Sequence, residues 1–375
     1  MPARREPEIR ETFAQRSDAR RNNFDALRFF LASLVVFSHS YVLLTANGNE
    51  IEPLSQASGM KMNLGTLAVA CFFAISGFLI TQSWLRSRGT WDFLKKRALR
   101  IYPGWIAAVL FCVLIVIPIL RPHHLSGWPD RPTVKFVSQL ALYKSGLPFV
   151  LPGVGYPNGS LWTIPFECMC YLLVVALGLL GLFHRRGLVL LLGLVLLAFL
   201  VWPTRSFLPT FGPVVNGLHL PYLGWLRCLP LLVVYFLSGA SFFLFRERIP
   251  HSAWLLALSL VLVGLTLFHA PLACLFYVIL PTFGFYILFY LAFVSAGNLN
   301  HFAKHGDLSY GIYLYSYPLQ RLLIAGQGHR YHFTPLTLFL AGWVIACGAA
   351  ALSWRFMESP FLRRKPLPIT SPMAV

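Results

Sequence analysis

The chain has 375 residues, 57% apolar and only 12% charged, with a formal net charge of +18. Soluble domains are about one-quarter charged, so these proportions exclude one and describe an all-α, polytopic integral membrane protein. The basic residues lie in short clusters between apolar runs instead of one stripe, which argues against a nucleic-acid partner and for topology determinants.

Residues 1–23 read as a disordered basic tail. The first apolar run, Phe24 to Leu44, carries Asp25, Arg28 and His39, and its length and embedded charges suit a retained span, not a cleavable signal. An Arg or Asp at the centre of a span costs about 2.5–3.5 kcal/mol on the insertion scale. Arg28 and His39 are eleven residues apart. At about 100° per residue they point within about 20° of each other, with about 16 Å of rise between them. Two readings stay open here. Asp25 and Arg28 snorkel to the interface while His39 is hydrogen-bonded inside a bundle, or the three buried ionisable groups serve a function.

A crossing needs about 20 apolar residues. Ten predicted spans follow, at 24–44, 64–84, 104–120, 161–183, 187–204, 224–245, 251–269, 271–294, 307–325 and 335–357. Only His269, Ala270 and Pro271 separate the seventh from the eighth, which implies a very tight turn or a broken element. Lys and Arg favour the cytoplasmic side. The clusters Arg4 to Arg21, Arg86 to Arg100, Arg185 and Arg186, Arg246 and Arg248, Lys304, and Arg363 to Lys365 mark the N-terminus, alternate connections and the C-terminus. Ten spans with both termini cytoplasmic satisfy all of them. The long outer connections, 45–63 and 121–160, either line a cleft for a polar substrate or merely connect helices. Residues 24–361 form one membrane domain and 362–375 a Pro-rich cytoplasmic tail. The seven cysteines lie in or beside apolar spans without metal-site spacing, as small hydrophobes do.

Three further segments carry polar chemistry. In the run Lys95 to Pro103, Arg97 and Arg100 are neighbours on one helix face and suit phosphate oxygens, or else anchor to lipid headgroups. In the run Asn158 to Glu167, Glu167 lies about two turns inside an apolar helix. It must pair, protonate or face a wet cavity, with Arg227, Arg321 and Arg355 as candidate partners. In Phe72 to Phe78, Ser76-Gly77 lets another helix approach closely and offers a hydroxyl.

These segments in this order resemble acyltransferase family 3, multi-spanning enzymes that O-acylate bacterial surface polysaccharides and other metabolites. The matching pieces are Asp25-Ala26-Leu27-Arg28 with His39, Phe-Phe-Ala-Ile-Ser-Gly-Phe, Arg-Ala-Leu-Arg-Ile-Tyr-Pro, Ser-Leu-Trp followed by Glu167, Leu308 to Tyr315, and Glu358-Ser359-Pro360. The resemblance implies an acyl-coenzyme A donor, acetyl foremost, used as a substrate with no permanently bound cofactor and no metal. It implies a carbohydrate or polysaccharide hydroxyl as acceptor, and a place in the bacterial inner membrane. His39 is then the general base or the acyl-accepting nucleophile, with Arg28, Asp25 and Glu167 in the catalytic set. Arg28, Arg97, Arg100, Tyr102 and Ser76 meet the donor. Cys168, Met169 and Cys170 depart from the family's Glu-Gln-Phe after Glu167, so any role needing a second carboxylate there is in doubt. The rival reading is a transporter or flippase that uses His39, the arginines and Glu167 as a pathway.

Overall fold

The computed structural model describes residues 12–18, 22–45, 48–120, 155–201, 228–269, 272–294, 306–327 and 332–362. The expectations for residues 1–11, 121–154 and the tail from 363 lie outside the described residues, as does Arg227. Among the described residues the fold is helical, with one isolated bridge between Thr12 and Pro250. The long helices are α1 (Phe24–Leu44), α2 (Leu64–Leu85), α3 (Thr90–Leu120), α4 (Leu161–Leu179), α5 (Arg186–Val201), α6 (Cys228–Leu244), α7 (Ala253–Phe268), α8 (Leu275–Phe293), α9 (Ser309–Gly326) and α10 (Pro335–Leu362). Six of them, α1, α2, α3, α4, α8 and α10, are long and apolar enough to cross a bilayer. The chain is therefore a polytopic membrane protein.

The structure moves one boundary substantially. Helix α3 starts at Thr90 and runs through Pro103, so Lys95 to Arg100 are helical and do not belong to a connection ending at Pro103. Proline inside a membrane helix is tolerated where neighbours satisfy the carbonyl it frees. Pro318 in α9 shows how. It has no N–H for the Leu314 carbonyl, and Asn158 Nδ2 donates to that oxygen instead at 2.8 Å. After α7 the Leu272 N–H donates to the His269 carbonyl at 3.1 Å, and α8 then carries a π-turn at Leu280–Gly284. Lys61 Nζ closes the end of α7 by donating to the Leu267 carbonyl at 2.8 Å.

Part of the expected tail is ordered. Phe13–Asp18 form a short helix, Phe13 is fully buried against Phe242, Tyr286 and Phe293, and its N–H donates to the Ile249 carbonyl at 3.1 Å. One aromatic residue in a polar stretch finds an apolar niche that no local pattern announces.

Helix α2 sits at the centre, packed on α1, α4 and α6. Its contact with α6 is backbone on backbone. A Cβ on Gly77 would stand 1.9 Å from the Phe236 carbonyl oxygen, and one on Gly239 1.9 Å from that of Ala74. Helices without a hydrophobic drive between them associate through such small-residue contacts. Gly77→Val is expected to destabilise the bundle by about 1–3 kcal/mol through overpacking. A lowered thermal midpoint of the purified protein in detergent checks this; an unchanged midpoint refutes it.

Candidate active site

Helices α1 and α9 lie side by side and run in the same direction. Arg28 meets Asp307 at the start of both, Gln320 Nε2 donates to the Val36 carbonyl at 3.1 Å, and the His39 ring stands edge-on to Tyr317 at 5.0 Å. Arg28 and His39 therefore both face α9. Two polar centres follow, one at each level.

The first is an arginine–carboxylate cluster. Asp307, just before α9, is held by Ser309, whose N–H donates to Oδ1 at 3.0 Å and whose hydroxyl donates to the same oxygen. Its Oδ2 accepts from Arg28 at 2.9 Å and from Arg100. Burial pushes the Asp307 carboxyl upward, but the guanidinium groups of Arg28 and Arg100 outweigh that and, with Ser309, hold it well below the ordinary range. Arg100 also reaches Glu358 at 3.8 Å and lies over the Tyr310 ring at 5.7 Å. Glu358 is aimed inward by a π-turn, Trp354–Glu358, and accepts from Ser353 Oγ at 3.1 Å. Such turns recur at functional sites.

Arg97 stands beside this network without a carboxylate partner among the described residues. Its Nη2 donates to Ser83 Oγ at 3.3 Å, its guanidinium lies 5.8 Å from the Phe93 ring, and its buried Nε has no hydrogen-bond partner there. It lies within electrostatic range of Arg28, Arg100, Glu167 and Tyr171.

Glu167 belongs to this end of the bundle. Its Oε1 accepts from Ser76 Oγ at 3.2 Å and from Tyr171 hydroxyl at 2.5 Å. Helix α4 enters beside Tyr313, where Thr163 Oγ1 and the Tyr313 hydroxyl are 2.6 Å apart, and descends toward Trp84, against which Gly178 packs. Glu167 is thus carried away from His39. The expected ion pairs with Arg321 and Arg355 do not form: Arg321 lies near Tyr317, and Arg355 is exposed beside Phe356. Asp25 is exposed, within electrostatic range of Asp307, Arg28 and Arg100. Tyr102 is 39% exposed, near Cys168, and takes no part in the ion pairs.

The second centre surrounds His39. Its Nδ1 is buried with no hydrogen-bond partner among the described residues. So are Ser160 Oγ, Ser316 Oγ and Gln320 Oε1. Ser316 and Gln320 flank Tyr317 on α9, and Ser160 follows Gly159, where an added Cβ would stand 2.6 Å from the Tyr317 ring. A buried polar atom left unmade costs about 1–3 kcal/mol. Four such atoms, one each of His39, Ser160, Ser316 and Gln320, lie beside Tyr317 among the described residues. Sequence reasoning missed Asp307, Ser316, Tyr317 and Gln320. The one available signal was Pro318, which frees a carbonyl one turn earlier and so requires a polar partner beside α9.

Two curated relatives match at nearly full length. "Nodulation protein 10" of Rhizobium leguminosarum bv. viciae is 28% identical over 367 residues, 93% of this chain and 95% of that protein. An "O-acetyl transferase" of Shigella phage Sf6 is 28% identical over 359 residues, 92% of this chain and 96% of that protein. No solved structure matches. The family model described as "Acyltransferase domain" covers residues 21–355, which takes in Arg28, His39, both other arginines, Glu167 and Asp307. With its arginine cluster and its imidazole inside that match, the chain belongs to this acyltransferase family.

Proposed function

We propose that the protein is a membrane O-acetyltransferase that moves an acetyl group from cytoplasmic acetyl-coenzyme A to a carbohydrate hydroxyl in the cell envelope. The supporting observation is the joint placement of Arg28 and His39 on one helix, facing α9, about 16 Å apart along the axis. Guanidinium groups gather at one level, and at the other stands an imidazole whose buried Nδ1 has no hydrogen-bond partner among the described residues. In this reading all ten helices cross the bacterial inner membrane, and both termini, with the arginine cluster, are cytoplasmic. The common direction of α1 and α9 agrees with an even number of crossings between their starts.

Arginine forks suit phosphate oxygens. Arg28 and Arg100 are already engaged by Asp307, and Arg97 beside them, without a carboxylate partner among the described residues, offers its charge to the donor's phosphates. The flexible arm of the donor then extends toward His39. Neutral imidazole takes the proton of the acceptor hydroxyl as its oxygen attacks the thioester carbonyl. The tetrahedral intermediate collapses with rupture of the carbon–sulfur bond, and the departing thiolate recovers the proton from the imidazolium. Acyl transfer onto His39 itself is the two-step version of the same chemistry. Ser160, Ser316 and Gln320 offer unmade hydrogen bonds to the acceptor.

Purified protein supplied with radiolabelled acetyl-coenzyme A and envelope carbohydrate tests this directly. Label on the carbohydrate supports it, and carbohydrate left covalently unchanged, as a transporter would leave it, defeats it. Arg97→Glu is expected to raise the acetyl-coenzyme A KM about 10- to 100-fold, the worth of a lost charged hydrogen bond. An unchanged KM would return Arg97 to the role of lipid anchor.

A further inference from the structure

An apolar crevice of about 340 Å³ opens between α5, α6 and α8, away from both polar centres. Leu190, Gly193 and Leu197 of α5 form one wall and Leu237 and Phe242 of α6 the other, with Pro281 in the π-turn of α8 below. From Val234 to Phe242 this wall of α6 rises about 12 Å, and Phe245 continues it just past the helix end. Its few hydroxyls are largely spent inward: Ser238, for one, donates to the Pro281 carbonyl. Thr282 and Tyr286 likewise donate to the Val278 and Pro250 carbonyls.

The rim at one end is different. Phe245 and Ile249 line the crevice and bracket Arg246 and Arg248, and Leu190 lines it one turn beyond Arg186. Arg185, Arg186 and Arg248 are exposed. Among the described residues Glu247 is the one carboxylate paired with them, 3.2 Å from Arg186 and 3.8 Å from Arg246. Arg186 and Arg246 thus share one acid at the mouth of the apolar slot, Arg246 also donating to the Phe243 carbonyl at 2.9 Å, while Arg185 and Arg248 stand exposed beside them.

We infer that this crevice binds an anionic phospholipid, one acyl chain between α5 and α6 and the phosphate at Arg185, Arg186, Arg246 and Arg248. Apolar walls select for a hydrocarbon chain, and juxtamembrane arginines attract anionic headgroups. The inference rests on the membrane placement of the helices and is independent of the proposed acetyl transfer.

Native mass spectrometry of the full chain in mild detergent, with phosphatidylglycerol or phosphatidylcholine added, tests it. The expected result is one phosphatidylglycerol retained per chain, at least tenfold over phosphatidylcholine. Gly193→Leu should abolish retention, since a Cβ there meets only Leu237 Cβ at 3.6 Å and the longer side chain fills the slot. Leu194→Trp, at a position already 47% exposed, is the second blocking variant should the first fold poorly. Arg185→Ser with Arg248→Ser should reduce the headgroup preference at least tenfold. Equal retention in wild type and the blocked variants overturns the site. Retention indifferent to headgroup charge also overturns it, assigning the slot to an uncharged chain such as a prenyl lipid or detergent.

Discussion

Replacing His39 with alanine is expected to lower acetyl transfer by about 10²–10⁴-fold, the usual worth of a positioned acid–base group. The fold should survive. The ring makes an edge contact with Tyr317 and leaves its buried Nδ1 unmade, so its removal deletes little bonding among the described residues. Donor KM should stay near the wild-type value, because the arginine cluster lies about 16 Å away along α1. Turnover assays with purified, monodisperse protein decide the matter, and wild-type turnover would remove His39 from the chemistry. A companion experiment separates base from nucleophile: labelled acetyl trapped on wild-type protein and absent from His39→Ala identifies an acyl-histidine.

The second large effect is expected at Asp307. Asparagine there removes the one carboxylate that Arg28 and Arg100 share, leaving two guanidinium groups close together in a largely dry site. Breaking a buried pair costs about 3–5 kcal/mol, and the low end applies because Arg28 retains 24% of its side-chain exposure. Asp307→Asn should therefore lower the thermal midpoint and raise the acetyl-coenzyme A KM, with kcat at saturating donor nearly retained. That split distinguishes a positioning residue from a catalytic one. The pH dependence has a definite sign. The folded carboxyl is held below its unfolded value, so its stabilisation is present above the unfolded pKa and is lost as pH falls through the folded one. Wild type should lose part of its thermal stability on acidification, whereas Asp307→Asn should show a flatter acid limb. Parallel acid limbs, or an unchanged donor KM, would refute the assignment.

Much of the fold was legible because hydropathy is a local property. A run such as Phe24 to Leu44 declares a helix in lipid without reference to any other segment, since its backbone must satisfy itself. The shared direction of Arg28 and His39 was legible for the same reason, being set by helical pitch alone. The start of α3 was not. Lys95 to Arg100 resemble a connection by charge and Pro103 resembles its end, yet packing on neighbouring helices keeps the segment helical.

Composition and the pitch of α1 determined by themselves a helical membrane protein with a cationic group and an imidazole facing one way, and the resemblance carried by the order of the motifs implied an acyltransferase. Only the tertiary structure decided which charges meet. Arg100 and Asp307 are 207 residues apart, and Glu167 joins Ser76 and Tyr171, within electrostatic range of Arg97, instead of the cations first considered for it. The physical reason is range. Burial in lipid and helix periodicity act within a segment, whereas an ion pair needs its partners within about 4 Å, and only the packing of α1, α3, α9 and α10 brings Arg28, Arg100, Asp307 and Glu358 that close.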